Sequence, residues 1–347
     1  MAADTSAQAK NAYLAVRPEW LERHKEEIME PDLPIIDPHH HLWDRFGWRY
    51  MFDDLLADTS SGHNIIATVF VQCRAFHCED GPVEMQPVGE SQFAAGVAAM
   101  CESGTYGSIR ACTGIVSHAD MMLGTEVRRV LESHVAVSGG RFSGIRHITA
   151  WDSDPNLMNP NYTPPQQQLR DPKFHAGIKT LGDMGLTFDA WLYHPQIEDL
   201  VIAARACPDT RIVLDHCGGP LGIGNYAERR NEIFPEWAAS IRKLAQCPNV
   251  YVKLGGLGMR INGFGFEDAD DPPSSATLAA AWKPYIDTCI ESFGANRCMF
   301  ESNFPVDKGS YSYPVFWNAC KILAQGASDQ EKTNLFAGTA ARFYELG

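Results

Sequence analysis

The chain has 347 residues, 45% of them hydrophobic and 21% charged, the balance of an ordinary soluble globular protein long enough to bury a large core. Its 29 Lys and Arg against 43 Asp and Glu leave a formal net charge of −14. That argues against a non-specific nucleic-acid binder or a protein of anionic membrane surfaces, both of which need a basic face.

Residues 1–33 read as an N-terminal extension. A short helix over 20–29 would put Leu21, Lys25 and Ile28 on one stripe, with Pro31 and Pro34 ending it. Its expected place is the outside of the main domain, 34–347, or a second copy of the chain in a homodimer. The first twenty residues lack the apolar stretch of a secretory signal. No apolar run approaches the roughly 18 residues of a membrane span. The ten cysteines form no CxxC pair, so free thiols in a cytoplasmic protein are the expectation.

From residue 34 onward, β-branched runs alternate with helical patterns. Candidate strands are 34–37, 65–71, 109–116, 144–149, 186–193, 211–215, 250–254 and 297–302. Most are near-continuous apolar runs, as parallel strands buried on both faces should be. Between them, apolar residues recur at helical spacing. Examples are Phe93, Val97 and Met100; Val127, Leu131 and Val135; Ile197, Val201 and Ala204; and Ile286, Ile290 and Phe293. A further short helix is expected near 53–60, and others at 313–323 and 328–346. Eight strand–helix units favour an α/β fold of the closed (β/α)8 TIM barrel type. No GxGxxG follows the first strand, which argues against a dinucleotide-binding sheet. Three long connections, 152–172, 218–230 and 255–275, would lie at the rim where barrel active sites form.

The stretch Ile35-Ile36-Asp37-Pro38-His39-His40-His41 organises the rest. In a strand, successive side chains alternate, so His39 and His41 share one face and His40 takes the other. Two imidazoles on one face make half of a metal or acid–base site. Other strand ends would bring Gln72, Arg74, Arg146, His147, Tyr193, His194, Asp215, His216, Lys253, Glu301, Asn303 and Asp307 to the same mouth. His118 reads as a residue of a capping turn. His147 and His194 fit a structural role as well as a functional one. Lys253 and Arg146 sit inside inward-facing strands, where a charge costs roughly several kcal/mol unless it is paired, so each needs a partner or a bound anion.

With these residues on the page, the chain resembles the amidohydrolase superfamily. Within it, the resemblance is to the amidohydrolase-related group that holds 2-pyrone-4,6-dicarboxylate lactonase, fuconolactonase-like sugar lactonases and sulfomuconolactone hydrolase. It rests on five segments in family order: Asp37-Pro38-His39-His40-His41-Leu42-Trp43, Gly144-Ile145-Arg146-His147, Leu214-Asp215-His216-Cys217-Gly218-Gly219-Pro220, Val252-Lys253-Leu254-Gly255-Gly256 and Met299-Phe300-Glu301-Ser302-Asn303-Phe304-Pro305. The resemblance implies a distorted (β/α)8 barrel. It implies His39, His41 and His194 as ligands of a divalent metal, zinc above all, although some lactonases of the group work without one. It implies His216 as a residue that binds substrate or shuttles protons and Arg146 as the holder of a substrate carboxylate; His147, Tyr193 and Lys253, read from the strand ends, are the further candidates for binding substrate. One departure matters. Relatives normally end the eighth strand in Gly-Ser/Thr-Asp, and that aspartate is the metal ligand or base; here the position is Asn303. An amide takes no proton near neutral pH, although Asn303 can still ligate a metal or hold a water through its oxygen; either Asp307 takes the role together with His216, or His216 is itself the base, or the chemistry differs. The expected activity is hydrolysis of a small, carboxylate-bearing lactone or cyclic ester. The alternatives are metal-dependent decarboxylation of an aromatic acid, which Asn303 counts against, and a ligand-binding barrel that has lost catalysis.

Overall fold

The computed structural model describes residues 14–45, 47–159 and 162–347. Its strands in chain order are β1 (Ile35–His40), β2 (Trp43–Arg45), β3 (Trp48–Tyr50), β4 (Ile65–Val71), β5 (Arg110–Ser117), β6 (Phe142–Arg146), β7 (Thr187–Ala190), β8 (Ile212–Leu214), β9 (Val250–Leu254) and β10 (Cys298–Phe300). Eight of them form one parallel sheet in the order β1-β4-β5-β6-β7-β8-β9-β10. Just past β10 the sheet returns to its first strand. The Asn303 N–H donates to the His39 carbonyl (3.0 Å) and the His41 N–H to the Phe304 carbonyl (2.8 Å). The result is a nearly closed TIM barrel surrounded by helices.

Each expected strand is present, two of them, at 65–71 and 250–254, with the expected ends. The expected strand 186–193 stops at Ala190. The Gln196 side chain takes the N–H groups of Trp151 (2.9 Å) and Tyr193 (3.2 Å), which removes them from any ladder. The helical patterns are found in Val88–Glu102, Arg128–Val137, Ile197–Ala206 and Ser275–Phe293. Their apolar faces and the outer face of the sheet bury one continuous shell that includes Phe174, Leu181, Phe188, Leu200, Trp237, Leu278 and Phe316. Each such side chain contributes about 1.5–3 kcal/mol on burial.

Inside the barrel, Ile36, Val69, Val116, Val213 and Met299 pack with Phe343 and Tyr344 of the helix Thr339–Tyr344. That helix closes the end where the strands begin. Arg110 at the start of β5 donates to the Gly347 carbonyl (2.7 Å), and Arg211, just before β8, to the Phe343 carbonyl (2.9 Å). The opposite end is left as the mouth.

The N-terminal extension differs from the expectation. Its helix covers Pro18–Leu21, not 20–29. Several residues beyond it give polar groups to the barrel. The Met29 N–H donates to Asn318 (2.9 Å), Lys321 donates to the Met29 and Glu30 carbonyls (2.7 and 2.8 Å), and Glu26 accepts from the Ser275 N–H (2.7 Å). Upstream, Arg17 donates to the Glu267 carbonyl (2.6 Å) and Trp20 to the Asp270 carbonyl (3.0 Å). The extension is thus tied to the loop after β9, and its Leu14 reaches the mouth itself. The ten cysteines are free. Among the described residues no helix is long and apolar enough to cross a membrane.

Candidate active site

A cavity of about 950 Å³ opens at the carboxyl ends of the strands. All three long connections reach it, through Leu157 and Tyr162, through Ile223, and through Met259, Arg260 and Ile261. The unanticipated hairpin β2–β3 adds Trp43, Asp44 and Arg45. Its floor holds His41, Gln72, Arg146, His216 and Asn303, with Trp191 and Tyr193 alongside. Among the described residues, four guanidinium groups line the cavity, those of Arg45, Arg74, Arg146 and Arg260, against one carboxylate, Asp44. The protein carries a large net negative charge, yet this surface is locally basic.

Three imidazoles from the first and sixth barrel strands meet here. The His39 ring lies 4.9 Å from that of His41 and 4.6 Å from that of His216, centre to centre. His40 turns the other way and pairs with Thr68 (2.8 Å), as alternation along a strand requires. Behind His39 and His216 stands a residue to which the sequence assigned no role, Glu301. One of its oxygens faces both the His216 N–H (3.0 Å) and His216 Nδ1 (2.6 Å), and the other faces His39 Nδ1 (2.8 Å). His216 adopts a left-handed backbone, φ +55°. Such a conformation is costly for a residue with a Cβ, and the two bonds to Glu301 hold it. Space for the group comes from two glycines. A Cβ on Gly255 would fall 2.6 Å from Glu301 Cγ, and one on Gly256 would fall 2.4 Å from the His216 ring.

His39 meets cationic donors at both ring nitrogens, Arg146 Nη1 at 3.1 Å from Nε2 and Lys253 Nζ at 3.0 Å from Nδ1. His41 Nδ1 donates to the Val71 carbonyl (2.8 Å), which leaves its Nε2 lone pair for the cavity. Burial, then the charge of Lys253, drives His39 well below the usual histidine range; burial, then Arg146, does the same to His41. Both are neutral. Burial pushes Glu301 upward, but the two imidazoles it serves outweigh that and hold it ionised, well below the ordinary carboxylate range.

Beneath the floor lies a sealed layer of charge. Lys253 is fully buried, 2.7 Å from Asp189 and 3.1 Å from Asp215. It does not reach the cavity, and the anion it needs is supplied by the neighbouring strands rather than by a substrate. Burial lowers Lys253, but Asp189, Asp215 and Glu301 raise it further, so it is an ammonium. Tyr344 closes the layer with a hydrogen bond to Asp189 (2.6 Å).

The other expected residues divide. His216, Asn303, Arg146, Tyr193 and His41 line the cavity, and His39 lies directly under it. Asp307 is fully buried behind Asn303, whose amide donates to it at 2.9 Å; Gly258 N–H and the Tyr311 hydroxyl occupy its other oxygen. It has no path to the cavity. His147 accepts from the Met121 N–H (3.1 Å) and pairs with the Tyr162 hydroxyl (2.9 Å), outside the lining. His194 accepts from the Leu221 N–H (3.2 Å) and packs on Tyr226, apart from His39 and His41.

Among the described residues, one group of His, Cys, Asp and Glu offers a seat for a metal ion. It is His39, His216 and Glu301, whose ligand atoms lie within 4.8 Å of one another. Two imidazoles and a carboxylate suit a divalent cation in donor type. The surroundings work against it, because Lys253 Nζ stands 3.0 Å from His39 Nδ1 and Arg146 occupies Nε2. Sequence reasoning brought Glu301 to the mouth but gave it no role. The signal was present: a carboxylate at the end of the short apolar strand Cys298–Phe300 needs a partner for the same reason Lys253 does.

Comparison with known proteins places these observations. The amidohydrolase family model matches residues 36–346. A protein of Sinorhizobium fredii designated y4mH is 31% identical over 337 residues, covering 91% of this chain and 99% of its own. An L-fucono-1,5-lactonase of Burkholderia multivorans is 27% identical over 213 residues, 60% of this chain and 64% of the relative. In fold, the chain is similar to a zinc-bound amidohydrolase from Burkholderia multivorans, with a TM-score of 0.69 and 24% identity over 90% of this chain and 99% of that one. With the family match running from β1 to the last helix over a barrel of the same build, this chain belongs to the amidohydrolase family.

Proposed function

We propose that the protein hydrolyses a small, carboxylate-bearing lactone, with His216 as the group that takes the proton from water. The observation that carries this is the His216–Glu301 pair: Nδ1 is bound to a buried, ionised carboxylate while the ring lines a basic cavity. With Nδ1–H given to Glu301, the Nε2 lone pair is the one left for chemistry. The neutral Nε2 of His41 orients the same water. The water oxygen attacks the lactone carbonyl carbon as its proton passes to His216 Nε2. Arg146 faces the developing oxyanion through its Nε–H, which has no partner among the described residues. When the tetrahedral intermediate collapses, the ring C–O bond breaks and the leaving alkoxide takes the proton back from His216. The product is a hydroxy acid. Arg45, Arg74 and Arg260 hold the substrate carboxylate, which explains a basic lining in an acidic protein.

If a divalent ion binds, His39, His216 and Glu301 would hold it, and it would supply Lewis-acid polarisation of the carbonyl. Likeness to a curated fuconolactonase supports lactones as the substrate class. A panel of lactones with and without carboxylates, followed by pH-indicator assay, tests the reading. Turnover of at least one, lost in a folded His216→Asn variant, is expected. Undiminished turnover in that variant, or none on any lactone, would overturn it.

A further inference from the structure

The reading above leaves one buried group at the cavity floor without work. Gln72 follows β4, is fully buried and lines the cavity. Neither its amide oxygen nor its amide nitrogen has a hydrogen-bond partner among the described residues. Its backbone is fixed: the N–H donates to the Val116 carbonyl (2.7 Å), and the carbonyl accepts from Arg146 Nη2. The residue is therefore anchored beside the guanidinium that faces the reacting carbonyl. Buried polar atoms are nearly always paired, and an unpaired donor and acceptor on one side chain is a costly arrangement to keep.

We propose that Gln72 reads the substrate: its amide pairs with a hydroxyl on the carbon next to the ester carbonyl and with that carbonyl's oxygen. A primary amide shows one donor and one acceptor side by side. Its complement must show an acceptor beside a donor. A 2-hydroxy lactone does so, its carbonyl oxygen accepting from Nε2 and its hydroxyl donating to Oε1. An unsubstituted lactone satisfies the nitrogen and strands the oxygen. A site built to bond a hydroxyl rejects the analogue lacking it far more strongly than an apolar pocket rejects a missing methylene. The inference rests on the lactonase reading and narrows its substrate to lactones hydroxylated at carbon 2.

The test compares 2-hydroxy-δ-valerolactone with δ-valerolactone on the wild type, on Gln72→Met, which keeps the volume, and on Gln72→Glu, which keeps the acceptor. The wild type should favour the hydroxylated lactone by about a hundredfold or more in kcat/KM. Q72M should lose rate on the hydroxylated lactone far more than on the other, so that the ratio falls toward one, while Q72E should hold an intermediate ratio. An even ratio in the wild type, or a ratio unchanged in Q72M, overturns the proposal. If the wild type opens neither of these carboxylate-free lactones, the lactonase reading is decided by the wider panel, and Gln72 is judged by calorimetry with 2,5-dihydroxypentanoate and 5-hydroxypentanoate. Tighter binding of the dihydroxy acid that Q72M abolishes supports the role. Equal binding, or no binding, ends it.

Discussion

Glu301→Gln removes one negative charge and almost no volume, and its consequences can be worked through atom by atom. Glu301 faces three nitrogens: the His216 N–H at 3.0 Å, His216 Nδ1 at 2.6 Å and His39 Nδ1 at 2.8 Å. A glutamine has one oxygen to offer. If that oxygen keeps His216, the new NH2 lies against His39 Nδ1, which Lys253 Nζ already approaches at 3.0 Å. Arg146 Nη1 stands 3.1 Å from the other ring nitrogen, so a neutral His39 has no lone pair to spare for a further donor. One charge-assisted bond is lost, about 1.5–3 kcal/mol, and a buried donor is left unpaired. Breaking a buried charge network this way costs about 3–5 kcal/mol in all. Turnover suffers separately, because the imidazolium forming on His216 loses its counter-charge. Loss of the carboxylate behind a working imidazole is worth about 10⁴ in rate elsewhere. The expectation is a lower melting temperature together with a kcat loss of about 10³–10⁴-fold. Glu301→Asp keeps the charge and should recover part of both. A folded Glu301→Gln protein within tenfold of wild-type kcat would refute the assignment of His216 and Glu301 as a working pair.

Gly256→Ala should abolish turnover while leaving the barrel's circular dichroism intact, since the new methyl would sit 2.4 Å from the His216 ring at φ +66°; a variant of normal activity would mean the ring is not held where the chemistry needs it. Arg260→Met should raise KM about 10–100-fold for a carboxylate-bearing lactone with kcat little changed, and should not affect the methyl ester of the same compound. Equal effects on acid and ester would remove Arg260 from carboxylate binding. Exhaustive chelation should leave activity in place, because Lys253 and Arg146 already flank His39 with fixed positive charge; loss of activity that zinc restores would show that an ion competes successfully for that space. Asp307 supplies a pH test. Burial, opposed by its hydrogen bonds, raises its carboxyl from 3.8 to about 6. The folded state therefore binds the proton more tightly than the unfolded one, and wild-type stability due to this group falls as pH rises from about 4 to about 6. A displacement of about two pH units is worth about 3 kcal/mol. Asp307→Asn should gain that much relative to wild type across the interval in denaturant titrations, and a difference that stays flat with pH would show that Asp307 keeps an ordinary carboxyl.

The barrel was legible because parallel strands buried on both faces announce themselves as apolar runs, and the helices between them keep a 3.6-residue period. The N-terminal arm and the β2–β3 hairpin were not, because neither has a pattern of its own: the arm takes its hydrogen bonds from Asn318, Lys321 and Ser275, some 250 to 290 residues away. The site divides the same way. Strand-end histidines could be read off, since alternation fixes which face each takes. Which charge answers which could not, because Lys253 meets Asp189 and Asp215 only once β7, β8 and β9 lie side by side in register.

Asn303 shows what that ambiguity conceals. The resemblance drawn from the sequence implies an aspartate there, preceded two residues earlier by glycine. This chain has Glu301 in place of the glycine and an amide in place of the acid. A carboxylate at 303 would look into the cavity, where Asn303 now looks; at 301 it lies beneath His39 and His216, in room left by Gly255. On the proposed mechanism the exchange turns a direct proton acceptor into the support of one, and the base moves from the eighth strand to the sixth. The nearby Asp307 cannot restore the older arrangement, because its oxygens are committed to Asn303, Gly258 and Tyr311. The carboxylate this chain does carry stands two residues earlier, at Glu301, and it went unassigned because its partners come from other strands.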